Sequence, residues 1–186
     1  MIVLMKSPAP FARSTAFPRV ISDLQLVVVG LALLPFLFHF IPVSTDTPLG
    51  ARLLPIFYAP LLAALYFRLG MAVALAALVP WISHIMMGMP PPGMAGLLTA
   101  ELLLFVLFVL VLVSWIGPRW WMGPAAYLMT KPFSGILLVL LPDLLAPIPY
   151  IAHLSGAVTR SWPGLIALSI IGWIATRHKG GPQPAS

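Results

Sequence analysis

The sequence predicts an all-α, polytopic membrane protein, a compact bundle of six transmembrane helices with both termini cytoplasmic. Two observations predict this class. Charged residues make up only 8% of the 186 residues, whereas a soluble domain carries roughly 25%. The mean hydropathy is +1.05. Because so few charged side chains cannot cover a surface that faces water, we expect the surface of this protein to face lipid.

The basic balance of the chain does not indicate a nucleic-acid partner. The formal net charge is +6, but Lys and Arg are scattered at the ends of apolar runs and form no basic stripe with stacking aromatics. Charges in such places are better explained by membrane topology. The chain has no cysteine, which excludes disulfides and thiolate metal sites and leaves the redox compartment open.

Six apolar segments follow one another, each close to the roughly 20 residues that cross a bilayer as a helix. We expect a cytoplasmic leader over 1–21, a six-helix membrane domain over 22–179 and a disordered tail over 180–186. A tight turn at Arg68-Leu69-Gly70 joins the second and third spans, and prolines at 142, 147 and 149 interrupt the fifth. The predicted spans are 24–43, 53–67, 71–89, 94–117, 133–153 and 161–176.

The positive charges predict the orientation, because Lys and Arg collect on the cytoplasmic side of a membrane protein. With the N-terminus inside, only Arg52 and Arg160 among the ten Lys and Arg lie outside. This bias predicts a multi-pass protein of the inner (plasma) membrane with both ends in the cytoplasm. The residues expected inside are Lys6, Arg13, Arg19, Arg68, Arg119, Lys131, Arg177 and Lys179.

Ionisable side chains within the predicted spans are candidate functional residues, because they are costly in a bilayer. Helical rise places His39, His84 and Glu101 roughly 6 to 10 Å inside the outer face. Tyr150 and His153 reach a similar depth. Asp143 lies deeper, near the midplane.

The segment GMPPPG, residues 88–93, joins the third and fourth spans on the predicted outer face. Proline fixes φ, so this stiff turn would hold His84 and Glu101 in fixed relative positions. We expect a small apolar pocket there that opens outward and contains a few polar groups.

Structural roles fit the same residues and stay open as alternatives. Glu101 could be protonated, or paired with His84 to tie two helices together. His39 could snorkel to the interface, and Asp143 could accept a hydrogen bond from backbone freed by a proline kink. The methionines at 86, 87, 89 and 94 indicate adaptable packing more than a metal or drug site.

Several motifs occur in a recognisable order. They are LLPFLFH at 33–39, LPIFYAPLLAA at 54–64, IMMGMPP at 85–91, AEL at 100–102 and WPG at 162–164. With them, residues 22–179 resemble the substrate-binding S component of energy-coupling factor (ECF) vitamin transporters. Two features depart from that family: the first helix lacks small residues four apart, and Phe57 and Tyr58 stand near the position of a family histidine.

The resemblance implies a subunit that captures a vitamin or similar small micronutrient from outside the cell, without catalysis and without a cofactor. It also implies partners, an ECF transmembrane T subunit and two cytoplasmic ATPase subunits. The chain has no G-x-x-x-x-G-K phosphate loop, so it cannot hydrolyse ATP by that route. From depth and resemblance together, the expected substrate-binding residues are His84, Glu101, His39, Asp46, Arg52, Tyr150, His153 and Arg160.

Two other classes of function remain beside this one. A structural or accessory transmembrane subunit of a larger membrane complex would also suit an apolar chain with six tryptophans. An intramembrane enzyme is disfavoured, because the sequence has no H-E-x-x-H and no G-x-S-x-G. We therefore predict no catalytic residues and no metal ligands.

Overall fold

The computed structural model describes residues 28–35, 37, 52–67, 69–145 and 148–179. These residues are helices joined by short turns, with no strand among them, so the all-α prediction is confirmed for this part of the chain. Of the first predicted span, residues 28–35 and 37 are described, and they are helical. The predicted leader and tail, His39 and Asp46 lie outside the described residues.

Six further helices follow in chain order. A single 3₁₀ turn, Pro55–Phe57, leads directly into the first of them. They are α1 (Tyr58–Tyr66), α2 (Leu69–Met87), α3 (Pro92–Ile116), α4 (Met122–Leu140), α5 (Tyr150–Thr159) and α6 (Trp162–Lys179).

Proline and glycine set the ends of the two longest apolar helices. Pro92 is the first residue of α3, where the missing N–H has no intrahelical partner to lose and the fixed φ already suits a helix. Gly88 follows α2 with φ 68° and Gly117 follows α3 with φ 71°. Glycine adopts this left-handed backbone without a steric penalty, so both helices end where the sequence supplies it.

Helix α1 occupies the interior of the bundle. It contacts α2, α3 and α6, and all but the last of its nine residues are buried. At its start, the Phe57 ring meets the rings of Phe105 in α3 and Tyr127 in α4 edge-on, each with centroids 5.1 Å apart. At its end, the Tyr66 hydroxyl donates a hydrogen bond to the Ala175 carbonyl of α6. The short α1 thus ties three of the longer helices together.

The outward faces of the helices are apolar. Residues more than half exposed include Ile85 in α2, Leu107 in α3, Val139 in α4 and Ile151 in α5. Helices α2 and α3 are each long and apolar enough to cross a membrane, and α5 with α6, bent by 58°, could form a third crossing. The described structure is therefore all-helical with two or three candidate membrane spans.

Three of the predicted spans agree closely with helices, and one prediction is wrong. The segments 71–89, 94–117 and 161–176 correspond to α2, α3 and α6. The interruption that the prolines predict within 133–153 is confirmed, because α4 ends at Leu140 and α5 starts at Tyr150. The predicted start of this span is wrong, because α4 starts eleven residues earlier, at Met122. Pro124 lies in the first turn of α4, where proline is tolerated, and the helix continues through Pro132.

Candidate functional site

Four polar side chains from three helices meet inside the bundle, and we call them the charged cluster: Glu101 (α3), Lys131 and Ser134 (α4) and His153 (α5). Glu101 is only 2% exposed. Lys131 Nζ lies 2.8 Å from each of its carboxylate oxygens. Ser134 Oγ lies 3.0 Å from Oε1 of Glu101, and His153 Nε2 lies 3.1 Å from the same oxygen.

Helix geometry explains how α4 supplies two members of the charged cluster. Lys131 and Ser134 are three residues apart, so their side chains lie on one face of the helix. The next residue, Gly135, gives α5 room to approach. A Cβ built on Gly135 would lie 2.6 Å from Cε2 of Tyr150, so glycine permits the contact that carries His153 toward Glu101.

The hydrogen-bond partners show that Nε2 of His153 is a donor. A carboxylate that receives the Lys131 ammonium on both oxygens is ionised and can only accept. Nε2 of His153 must therefore carry the proton that it shares with Glu101 Oε1 and with Ser134 Oγ, which is 2.9 Å away. With a neutral imidazole, the four side chains carry one negative and one positive charge and no net charge.

A second polar contact continues from the charged cluster toward the break between α5 and α6. Lys131 Nζ lies 4.8 Å from the centroid of the Tyr127 ring, a distance at which the ring face attracts a cation. The Tyr127 hydroxyl donates to Ser161 Oγ over 3.1 Å. Ser161 directly precedes α6, so the polar contacts extend from α3 through α4 to the point where the bent pair α5–α6 changes direction.

Serine, histidine and glutamate in contact invite comparison with a nucleophilic triad, but their geometry differs. In a triad, the acid bonds one imidazole nitrogen and the serine bonds the other. Here Glu101 Oε1 and Ser134 Oγ both face Nε2 of His153, so Nε2 cannot take a proton from the serine while it donates to the carboxylate. Within the described residues, no group of three or more His, Asp or Glu is placed to hold a metal ion.

The structure brings together only some of the residues that the sequence predicts for substrate binding. Glu101 and His153 are in the charged cluster, and Tyr150 packs beside it on Gly135. His84 contacts the carbonyl of Pro90 at 2.8 Å, so Glu101 is paired with Lys131 and not with His84. Arg52 is partly buried beside the N-terminus of α6, and Arg160 is exposed at the end of α5.

Sequence reasoning missed Lys131 and Ser134. The assignment of Lys131 to the cytoplasmic charges is wrong, because this side chain is buried at the middle of α4 and bonded to Glu101. A signal was present in the sequence. Tyr127, Lys131 and Ser134 are spaced by four and three residues, the spacing of one helical face, and that face predicts an inward polar stripe in an otherwise apolar helix.

Two grooves of the described structure lie away from the corner between α2 and α3, where the outward pocket is expected. One groove, of about 240 Å³, lies between residues 28–35 and α2 and has an entirely apolar lining. The other is a shallow depression lined by Trp120, Ser169, Ile170 and Trp173. Neither of these two grooves is lined by His84 or Glu101, and the Glu101 side chain is buried.

Comparison of the chain with protein-family models, with curated proteins and with solved structures finds no match. A function must therefore be inferred from the charged cluster and from the helices that form it.

Proposed function

We propose that the chain is the substrate-capturing membrane subunit of an ECF-type importer, binding a vitamin or similar small organic micronutrient from the extracellular side without catalysis. The observation that carries the proposal is the charged cluster, in which a carboxylate, an ammonium, a hydroxyl and an imidazole from three helices meet inside an apolar bundle.

The energetics of the ion pair support a functional role. Two charges taken out of water lose several kcal/mol of solvation each, and replacing such a pair by apolar side chains is often neutral or stabilising. Polar groups inside membrane bundles commonly mark substrate paths for this reason. A bundle that only needed to pack would not require Glu101 and Lys131.

The break between α5 and α6 supports the same proposal. Transporters often bind substrate where a membrane helix is discontinuous, because the freed polar backbone lines a cavity. Here the two helices meet at 58°, and the shorter one carries His153. Displacement of α5 would expose Glu101 Oε1, Ser134 Oγ and Lys131 Nζ. These atoms would offer hydrogen-bond acceptors and donors to a polar organic ligand.

The proposed location is the inner (plasma) membrane of the cell. The proposed topology has six crossings, with both termini in the cytoplasm. Residues 28–35 would belong to the first crossing, α1 to α4 would form the next four, and the bent pair α5–α6 would form the sixth. An ECF T subunit and two cytoplasmic ATPase subunits would be the partners. The basic residues Arg119 and Arg177 would then face the cytoplasm, as the bias of positive charge favours.

Ligand retention tests the proposal. Full-length protein purified in mild detergent should retain a small organic molecule in native mass spectrometry and should bind one member of a vitamin panel. Glu101→Gln and His153→Phe should each abolish retention, whereas Met129→Leu, which changes an exposed side chain of α4 outside the charged cluster, should keep it. Melting temperatures of the variants separate lost binding from lost folding. Absence of any ligand, together with wild-type behaviour of both cluster variants, would refute the proposal.

A second function is favoured by one specific observation. Every buried side-chain polar atom of the described residues has a hydrogen-bond partner, so the charged cluster is saturated without a ligand. A charged cluster that only joins helices α3, α4 and α5 suits a structural or accessory subunit of a larger membrane complex. The apolar outer faces of this chain would then contact helices of other subunits. Copurification separates the two functions: an importer subunit should bring a T subunit and two ATPases, and an accessory subunit should bring its own complex in fixed stoichiometry.

A further inference from the structure

The ring of His84 is held in a form suited to binding a metal ion. Its Nδ1 lies 2.8 Å from the carbonyl oxygen of Pro90, and a carbonyl oxygen can only accept. Nδ1 therefore carries the proton, and Nε2 of the neutral imidazole carries a lone pair. Histidines that bind metals usually have this arrangement, with one nitrogen donating to a backbone carbonyl or carboxylate and the other facing the ion.

Methionines stand close to His84 in the sequence. Met87 follows His84 by three residues in α2, so the two side chains lie on the same face of the helix. Gly88, with φ 68°, turns the chain so that Pro90 comes back to His84. Met89 lies within that turn, directly before the residue that His84 contacts. One imidazole and two thioethers therefore lie within the six residues 84–89 at the end of α2.

Core packing does not account for Met89. This residue is 53% exposed, so its thioether fills no space in the core of the described structure. Thioethers and imidazole are the neutral ligands that soft monovalent cations prefer, whereas Mg²⁺ and Ca²⁺ require oxygen ligands. The segment from Trp81 to Gly93 contains no carboxylate, and the acid nearest in sequence, Glu101, is paired with Lys131.

We propose that the corner between α2 and α3 binds a soft monovalent cation, Cu(I) or Ag(I), through Nε2 of His84 and the sulfur atoms of Met87 and Met89. The site is separate from the charged cluster and does not depend on the proposed import function. Binding is non-covalent and involves no change of oxidation state, so the ion is a ligand and not a reactant.

Trp81 supplies a reporter for this site. Its ring lies 6.4 Å from the His84 ring, centroid to centroid, at 87°. Silver nitrate titrated into the full-length protein in chloride-free detergent buffer should bind with one tight equivalent in calorimetry and should quench tryptophan fluorescence in parallel. Trp81→Phe should remove most of the quenching and keep the calorimetric binding.

The decisive variants are His84→Ala and the pair Met87→Leu with Met89→Leu. Loss of a ligand should weaken Ag(I) binding by at least about 10- to 100-fold, the range found when even the supporting contacts of a metal site are removed. Leucine conserves the methionine volume, so circular dichroism and melting temperature should be unchanged in the double variant. Met129→Leu is the matched control, because Met129 is a similarly exposed methionine on α4.

Three results would overturn the proposal: wild-type Ag(I) affinity in both decisive variants, equal weakening in Met129→Leu, or X-ray absorption of Cu(I)-loaded protein without sulfur neighbours. Vitamin retention measured on the same variants reports on the proposed function separately. The metal-site proposal can therefore be refuted while the proposed ligand capture is supported. The opposite pair of results can be distinguished in the same way.

Discussion

Lys131 donates to both carboxylate oxygens of Glu101, with each Nζ–O distance 2.8 Å, and this two-point contact joins the centres of α3 and α4. Ser134 and His153 add donors to the same carboxylate. The two charges compensate each other only while both are present. The stability of the bundle should therefore depend on the pair as a unit.

Removal of one charge should be far more costly than removal of both. Lys131→Met leaves the Glu101 carboxylate buried without its main partner, and we expect the free energy of unfolding to fall by about 3–5 kcal/mol. Glu101→Leu combined with Lys131→Met should restore most of that loss. Equilibrium unfolding in mixed detergent measures all three proteins. Equal losses in the single and double variants would contradict the ion pair.

His84 and His153 should have opposite tautomers. His84 donates from Nδ1 to the Pro90 carbonyl, and His153 donates from Nε2 to Glu101. Long-range ¹⁵N–¹H correlation spectra of histidine-labelled protein distinguish the two forms directly. Glu101→Gln should perturb the His153 signals and leave those of His84 unchanged. Two identical tautomers in the wild type would show that one of these contacts is wrong.

A methyl group on Gly135 should separate α5 from α4. The added Cβ would lie 2.6 Å from Cε2 of Tyr150, closer than carbon atoms pack, so Gly135→Ala should cost about 1–3 kcal/mol as overpacking does. A second change, Tyr150→Ala, should recover part of the loss by making room. Thermal melts of the two variants measure both effects.

Gly70→Ala is the control for the Gly135→Ala variant. No atom lies within 4 Å of a Cβ built on Gly70, and alanine favours the helix over glycine by roughly 0.5–1 kcal/mol. We therefore expect unchanged or slightly higher stability. A loss in Gly70→Ala as large as in Gly135→Ala would mean that helix contacts do not explain the effect.

The proposed crossing by α4 can be tested with single thiols, because the natural chain has no cysteine. Arg119→Cys and Leu144→Cys place one thiol before α4 and one after it, and both positions are exposed. In sealed, oriented vesicles, an impermeant maleimide should label Leu144→Cys from outside and Arg119→Cys only after lysis. Labelling of both from the same side would refute the crossing.

The sequence predicted the helices best where the apolar run was long and its ends carried proline or glycine. For α3, the run is nearly free of charge and Pro92 and Gly117 mark its limits. For α4, the predicted span started only at 133, and Pro124, Lys131 and Pro132 lie before that residue. Burial of Lys131 depends on Glu101, which is thirty residues away.

The same reason explains what could be predicted of the candidate site. Depth in the membrane can be estimated from the helical rise of one segment, and it selected Glu101 and His153, which do meet. The partner of an ionisable side chain depends on how helices rotate against one another, which no single segment determines. His84 lies near Glu101 in the sequence and was the obvious partner, yet its ring turns to the Pro90 carbonyl.

The hydrogen bond from Tyr66 to the Ala175 carbonyl has a consequence for biogenesis. It joins residues 109 positions apart, so when α1 leaves the ribosome the helix that completes its surroundings has not yet been synthesised. The contact between α1 and α6 therefore forms only after the last helix has been synthesised.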